Sequence, residues 1–152
     1  MKKYFSKSVS FGMIIILVIL LTLKIDNYLR TDIEIIYNVE ELNRLLQADN
    51  PYRLFIDLRD REDYEEGHIP GFINIPSKHG GAVLAYIKKH ELEKKQVILM
   101  CYSGGRAGYV MDYLAQNDIS KIGYISFGYD IYASKINGFI PEVGECDCLA
   151  DE

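Results

Sequence analysis

The chain has 152 residues, a hydrophobic fraction of 49% and a formal net charge of −5 at pH 7. This length suffices for one domain with a single buried core, and the acidic balance argues against nucleic acid or an anionic lipid surface as a partner. Residues 31–152 alone hold 12 Lys and Arg against 21 Asp and Glu, a balance of −9. Any small anionic ligand would therefore depend on the local field of its site.

The N-terminal residues form an apolar segment that follows three lysines. The unbroken run Phe11–Leu23 has 13 residues, as in the hydrophobic region of a signal peptide, and the wider range 9–25 has 17, near the lower limit for a membrane span of about 20. No Ala-x-Ala-like cleavage site and no lipid-accepting cysteine follow it. We therefore expect residues 1–30 to be an uncleaved signal anchor in the membrane, with a buried structural helix as the alternative.

Basic residues on both sides of this segment predict its orientation. Three lysines precede it, whereas Lys24 and Arg30 follow it, a bias of one charge that favours a cytoplasmic N-terminus. The domain after this segment would then be extracytoplasmic, in a periplasm or at a cell surface, where a free thiol must survive oxidising conditions. A cytoplasm-facing domain is the alternative.

Strand and helix patterns alternate through residues 31–144, which we expect to form one domain. Asn38 is a predicted N-cap, and the apolar spacing after it predicts a helix. The other predicted elements are a strand at 53–57, an acidic helix at 61–66, a strand at 73–75, a helix at 81–90, a strand at 96–100, a helix ending near 117 and a strand at 122–126. This alternation predicts an α/β fold: a parallel sheet with helices on both faces, preceded by one N-terminal hydrophobic helix.

Cys101 follows the apolar strand Gln96–Met100 and precedes a helical pattern. Gly104 and Gly105 allow the backbone to curl around the sulfur, and the helix directs its positive N-terminal end to the same place. Because the thiolate is the reactive form of cysteine, we expect the loop amides and Arg106 to stabilise it and to bind an oxyanion. Cys101 is therefore a candidate nucleophile, and a buried, inert cysteine is the alternative.

Three motifs, taken in order, resemble those of the rhodanese family. They are Asp-Leu-Arg at 57–59, Gly-His-Ile-Pro-Gly-Phe-Ile-Asn-Ile-Pro at 67–76 and Cys-Tyr-Ser-Gly-Gly-Arg at 101–106. The resemblance covers roughly residues 38–144 and is specific because all three pieces occur together. The segment Phe127–Tyr132 departs from the family pattern, which we expect to alter the shape of the substrate pocket.

The resemblance implies a rhodanese-type sulfurtransferase that forms a persulfide on Cys101. The sulfane sulfur would come from a small anion such as thiosulfate and pass to a thiol or to cyanide, with Arg106 orienting the anionic donor. The implied binding loop for the terminal sulfur consists of Tyr102, Ser103, Gly104 and Gly105. The attacking group is already anionic, so no general base is required, and we expect no cofactor and no metal.

Other functions of the same fold stay open. The cell-cycle phosphatase branch places one more residue between its cysteine and arginine, so the spacing from Cys101 to Arg106 favours sulfur over phosphate. A membrane-tethered binding or redox-sensing module is one alternative, and a phosphatase or arsenate reductase that uses the same loop is another.

Asp57, Arg59 and His68 are charged or titratable residues near a predicted strand end. Such residues either take part in the chemistry or tie a loop to the scaffold. We favour scaffold roles, because Arg59 is spaced to pair with Glu62, and because His68 lies where its ring would hydrogen-bond a neighbouring backbone group or carboxylate.

The acidic tail, residues 145–152, contains Cys146 and Cys148 in a Cys-x-Cys arrangement. These thiols would relay the Cys101 persulfide, bind a soft metal together with another chain, or form a local disulfide. A solvated tail with incidental thiols is the alternative. The three histidines complete no zinc site with them by spacing.

Overall fold

The structure is a computed structural model that describes residues 2–29, 31–48 and 50–145. Its helices and strands are, in chain order, α1 (Lys2–Leu29), β1 (Asp32–Ile36), α2 (Val39–Gln47), β2 (Arg53–Asp57), α3 (Arg61–Glu66), β3 (Phe72–Asn74), α4 (Gly81–Lys89), β4 (Gln96–Met100), α5 (Gly105–Gln116), β5 (Lys121–Ile125) and α6 (Tyr129–Lys135).

Within the described ranges, the strands form one five-stranded parallel sheet in the order β1-β5-β4-β2-β3. Strand β4 lies at its centre, and four of its five residues are buried. Val97 and Leu99 of this strand pack against α4 and α5, while Ile98 and Met100 pack against α2, α3 and α6. The predicted α/β architecture, with a parallel sheet and helices on both faces, is confirmed.

The sequence predicted most elements of the domain within one residue, but missed β1 and α6. Strand β1 is an edge strand in which only Ile36 is buried, so its apolar pattern is weak. Helix α6 has seven residues and one buried side chain, Tyr132, whose ring meets Phe139 edge to face at 5.3 Å between centroids. Both elements depend on contacts with distant parts of the chain, which a local pattern does not reveal.

Helix α1 covers the segment in which a membrane anchor was predicted, and the structure does not support that anchor. Across residues 2–29, 31–48 and 50–145, no helix combines the length and the apolar character that crossing a membrane requires. The helix has 28 residues, but its unbroken apolar run covers only Phe11–Leu23, which is shorter than the roughly 20 residues of a typical span.

Tyr64 fastens α3 to the edge of the sheet. Its buried hydroxyl donates a hydrogen bond of 2.6 Å to the carbonyl oxygen of Phe72, and its ring stacks on His68 with 3.7 Å between centroids. Burial, followed by the negative charges of Asp57 and Glu142, raises the pKa of Tyr64 to about 12. The neutral phenol is therefore the form that the fold stabilises.

We expect Leu99→Ala to lower the free energy of unfolding by about 3 kcal/mol, because it leaves a cavity in the central strand. Leu99 is 0% exposed, whereas the control residue Ile140 is 81% exposed. Urea unfolding of both alanine variants tests this expectation. A loss at Leu99 no larger than that at Ile140 would contradict the assigned core.

We expect the ionisation of Tyr64 to lower the free energy of unfolding between pH 10 and pH 12. Its pKa in the folded protein lies above its ordinary value of 10, so its stabilising contribution is complete below about pH 10 and is lost as the pH rises toward about 12. Tyr64→Phe should be less stable at pH 8, because it lacks the hydrogen bond to Phe72, and should show a shallower alkaline loss. Urea unfolding at pH 8 to 11 measures both slopes, and equal slopes would refute this role.

Candidate active site

Cys101 lies directly after β4, at the carboxyl edge of the sheet, and is 1% exposed. The backbone N–H of Gly104 donates a hydrogen bond to its Sγ at 3.2 Å. Helix α5 begins at the next residue, so its positive N-terminal end adjoins the sulfur. The buried sulfur atom of Cys101, the predicted nucleophile, thus lies at the loop Tyr102–Gly105 and at the start of α5.

Two glycines allow the segment after β5 to press against this loop. Gly104 has a φ of +87°, and a Cβ there would lie 2.6 Å from the carbonyl oxygen of Ser126. A Cβ at Gly128 would lie 1.5 Å from the carbonyl oxygen of Tyr102. Side chains at these two positions would force the backbones apart, so both glycines are required for the observed loop. Gly128 belongs to the segment that departs from the family pattern in the sequence.

Arg106 connects the loop to the residues that follow β2. Its Nη1 donates to the carbonyl oxygen of Leu58 at 2.6 Å and lies 3.3 Å from Asp60 Oδ1. Its guanidinium carbon is 5.1 Å from the centroid of the Tyr102 ring. These contacts hold the loop against the scaffold. Orientation of an anionic donor by Arg106, expected from the sequence, stays a prediction.

Tyr102 makes a second connection between the loop and α3. Its hydroxyl donates to the carboxylate of Asp63 and accepts a hydrogen bond of 3.1 Å from the backbone N–H of Asp60. Burial, followed by the hydrogen bond to Asp63, raises the pKa of Tyr102 to about 12. The phenol therefore stays protonated at neutral pH and continues to donate.

Asp57 and Arg59 form a buried ion pair beneath the loop. Asp57 is 0% exposed and Arg59 is 4% exposed, and Nη2 of Arg59 is 2.8 Å from Oδ2 of Asp57. The same guanidinium donates to the carbonyl oxygens of Asp63 and Gly67 and lies 4.0 Å from the centroid of the Tyr129 ring. The predicted pairing of Arg59 with Glu62 is wrong, because the backbone and the side chain of Arg59 both donate hydrogen bonds to Asp57.

His68 is buried and makes the kinds of contact that the sequence predicted for a scaffold residue. Its Nδ1 is 2.9 Å from the carbonyl oxygen of Tyr64, and its Nε2 is 3.5 Å from a carboxylate oxygen of Glu142. The backbones of His68 and Glu142 also exchange two hydrogen bonds, which fix the end of the described chain beside α3.

A cavity of about 280 Å³ opens beside the loop. Its walls consist of Arg59, Asp63, Glu66, Gly67, Tyr102, Tyr129 and Asp130. Sequence reasoning singled out Arg59 and Tyr102 and expected the segment that holds Tyr129 and Asp130 to alter the substrate pocket, but it missed Asp63 and Glu66. The neighbouring positions of β2 and β4 offered a signal for these two, because an acidic helix directly after β2 must lie near the loop after β4.

The described part of the chain contains no group of three or more His, Cys, Asp or Glu side chains that is arranged to hold a metal ion. Cys146 and Cys148, the predicted relay thiols, lie outside the described residues. The described site therefore consists of one buried thiol, a loop of backbone amides and a neighbouring cavity.

Comparison with known proteins places this geometry in a family. The model of the rhodanese-like domain matches residues 38–135. A curated relative, the tRNA uridine(34) hydroxylase of Photorhabdus laumondii, is 29% identical over 98 residues, which are 63% of this chain and 27% of that protein. The chain thus spans about a quarter of the length of that relative.

Two solved structures share the fold. The single-domain sulfurtransferase of Saccharomyces cerevisiae superposes with a TM-score of 0.57 at 20% identity, over 69% of this chain and 92% of that one. A rhodanese-like domain protein from Staphylococcus aureus superposes with a TM-score of 0.54 at 21% identity, over 74% of this chain and 99% of that one. Since the family model spans well over half of the residues, the chain belongs to the rhodanese-like domain family.

Proposed function

We propose that this protein is a sulfurtransferase that carries sulfane sulfur as a persulfide on Cys101. The observation that carries the proposal is the Cys101 Sγ beneath the Gly104 amide, at the N-terminal end of α5. A sulfur atom held there as an anion receives the Gly104 hydrogen bond and the field of the helix, at a position that is 1% exposed.

The proposed reaction has two substitution steps at sulfur. In the first, the Cys101 thiolate attacks the outer sulfur of a donor such as thiosulfate, the donor S–S bond breaks, and sulfite leaves with the electron pair. In the second, a thiol or cyanide attacks the terminal sulfur of the persulfide, and Cys101 leaves as a thiolate. Electrons and atoms balance without an external oxidant or reductant, so the proposal requires no cofactor.

The neighbouring polar residues support this mechanism by holding the loop. The attacking thiolate needs no general base, and His68 is engaged with Tyr64 and Glu142. We assign Asp57 and Arg59 a positioning role, since their buried pair supports the backbone on which Asp63 and Gly67 lie. His68, Asp57 and Arg59 therefore take part in no catalytic step of the proposed reaction.

Neither of two other activities is favoured by an observation. The chain has a net charge of −5 and spans about a quarter of the curated tRNA-modifying relative, so we do not extend that activity to it. A phosphatase would need its arginine to bind phosphate oxygens. The contacts of Arg106 with Leu58 and Asp60 instead support a role in fixing the loop.

Intact mass measurement of the reduced full chain after incubation with thiosulfate tests the proposal. We expect a gain of one sulfur atom in the parent and in a Cys146→Ala/Cys148→Ala control, with peptide mapping that locates it on Cys101. Cys101→Ala should show no gain. A gain that persists in Cys101→Ala, or no gain in a folded parent with a titratable thiol, would contradict the proposal.

We expect Gly128→Ala to slow persulfide formation by about 100-fold, because its methyl group must displace the Tyr102 carbonyl and with it the loop around the sulfur. Gly81→Ala is the matched control, since a Cβ there would meet nothing within 4 Å. Single-turnover rates measure the effect, with circular dichroism to establish that both variants fold. Equal rates in the two variants would show that this contact does not shape the site.

A further inference from the structure

The cavity beside the Cys101 loop has a charge that does not match a small anionic substrate. Three carboxylates line it, those of Asp63, Glu66 and Asp130. Glu66 and Asp130 are exposed, so a ligand can reach their carboxylates from outside. Tyr102, the residue next to the nucleophile, forms part of the same wall, so the cavity adjoins the loop that carries Cys101.

Two arginines near the cavity are already balanced by other carboxylates. Arg59 is 4% exposed, its Nε and Nη2 donate to Asp57, and its Nη1 and Nη2 also donate to two backbone carbonyls. Arg106 is paired with Asp60. The three lining carboxylates therefore set the sign of the local potential, which is negative.

We propose that this cavity selects the sulfur acceptor by charge and that the acceptor is a small thiol bearing a protonated amine. The inference rests on the proposed sulfurtransferase function, to which it adds a substrate class. The volume of about 280 Å³ suits a small molecule, and the Tyr102 and Tyr129 rings supply apolar walls for its carbon chain. The ammonium group would lie between Glu66 and Asp130, with the thiol directed toward Cys101.

The transfer step is a thiol exchange. The thiolate of the aminothiol attacks the terminal sulfur of the Cys101 persulfide, and a new S–S bond forms on the acceptor. The bond between that sulfur and Cys101 Sγ breaks, and Cys101 leaves with the electron pair as a thiolate. The acceptor departs as a persulfide, and no other reactant is consumed.

The same negative potential opposes a dianionic donor. Thiosulfate that approaches through this cavity would pass the carboxylates of its wall before it reaches the Gly104 amide, which donates to the sulfur. Removal of two of these charges should therefore favour thiosulfate and disfavour the aminothiol. Opposite effects on two substrates distinguish an electrostatic role from general damage to the site.

The test uses three thiols of similar size: cysteamine with a positive charge, 2-mercaptoethanol with none and mercaptoacetate with a negative charge. Single-turnover transfer from the persulfide form of the full chain is compared between the parent and Glu66→Gln/Asp130→Asn. Each thiol is compared with itself, so differences in intrinsic nucleophilicity cancel. Glu93→Gln is the matched control, because Glu93 is an exposed carboxylate three residues before the amino end of β4, at the opposite edge of the sheet.

In the double variant we expect the rate with cysteamine to fall about fivefold, the rate with mercaptoacetate to rise about fivefold, and the rate with 2-mercaptoethanol to stay constant. Loading by thiosulfate should also become faster. These differences should shrink at high salt, because the carboxylates are exposed. An equal change for all three thiols, no change, or the same pattern in Glu93→Gln would overturn the proposal.

A second measurement separates this inference from the proposed function. Cystamine, bis(2-hydroxyethyl) disulfide and dithiodiglycolate form the same charge series as disulfides, and each forms a mixed disulfide with the Cys101 thiol without any sulfane sulfur. We expect cystamine to react faster with the parent than with the double variant, as located by peptide mass. A charge preference without persulfide formation would refute only the sulfurtransferase, whereas persulfide formation without a charge preference would refute only the cavity assignment.

Discussion

The close approach of two backbone segments at the carboxyl edge of the sheet is the constraint on which the site depends. The segment after β5 presses on the Cys101 loop at Gly104 and at Gly128, where a Cβ would lie 2.6 Å and 1.5 Å from carbonyl oxygens. Because these contacts leave no room for side chains, the loop must curl inward, and its Gly104 amide then faces the sulfur. The proposed chemistry thus follows from backbone packing, and the ionisable side chains mainly hold that packing in place.

Those side chains act as connections between β2, α3 and the loop. The buried ion pair of Asp57 and Arg59 supports the turn after β2. Arg106 and Tyr102 connect the Cys101 loop to the same turn. Breaking a buried pair typically costs about 3 to 5 kcal/mol, because one charge stays behind without a partner. The site is therefore rigid on the side of α3, where the cavity opens.

The local sequence was sufficient to predict the reactive loop but not its neighbours. Cys101 between an apolar strand and a helical pattern, with two glycines after it, predicted a nucleophile beneath backbone amides. The structure places Cys101 after β4, with the Gly104 amide on its sulfur and α5 next in the chain, and its role as nucleophile stays a prediction. The ion-pair partner of Arg59 was predicted wrongly, because spacing along a helix favours Glu62. In the structure the buried carboxylate of Asp57 accepts from the Arg59 guanidinium instead. Edge strand β1 and the short helix α6 depend on packing with distant residues, which local periodicity does not encode. The acidic cavity was missed for the same reason, since its residues come from three separate parts of the chain.

The charge of the domain as a whole differs from the charge immediately around the Cys101 sulfur. The overall balance of residues 31–152 and the cavity wall are both acidic, whereas the sulfur itself lies against an amide and a helix N-terminus. On the proposed mechanism, an anion is stabilised close to Cys101 and a cation is favoured in the neighbouring cavity. This arrangement suits a sulfur atom that is held as an anion and then handed to a positively charged acceptor.

The central claim is that the loop amides hold the terminal sulfur of a Cys101 persulfide, and amide NMR tests it most directly. In ¹⁵N-labelled protein treated with thiosulfate, the account predicts that the largest changes in amide shift and hydrogen-exchange protection occur at Ser103, Gly104, Gly105 and Arg106. Changes concentrated elsewhere, or a persulfide-loaded protein whose loop amides do not move, would contradict it.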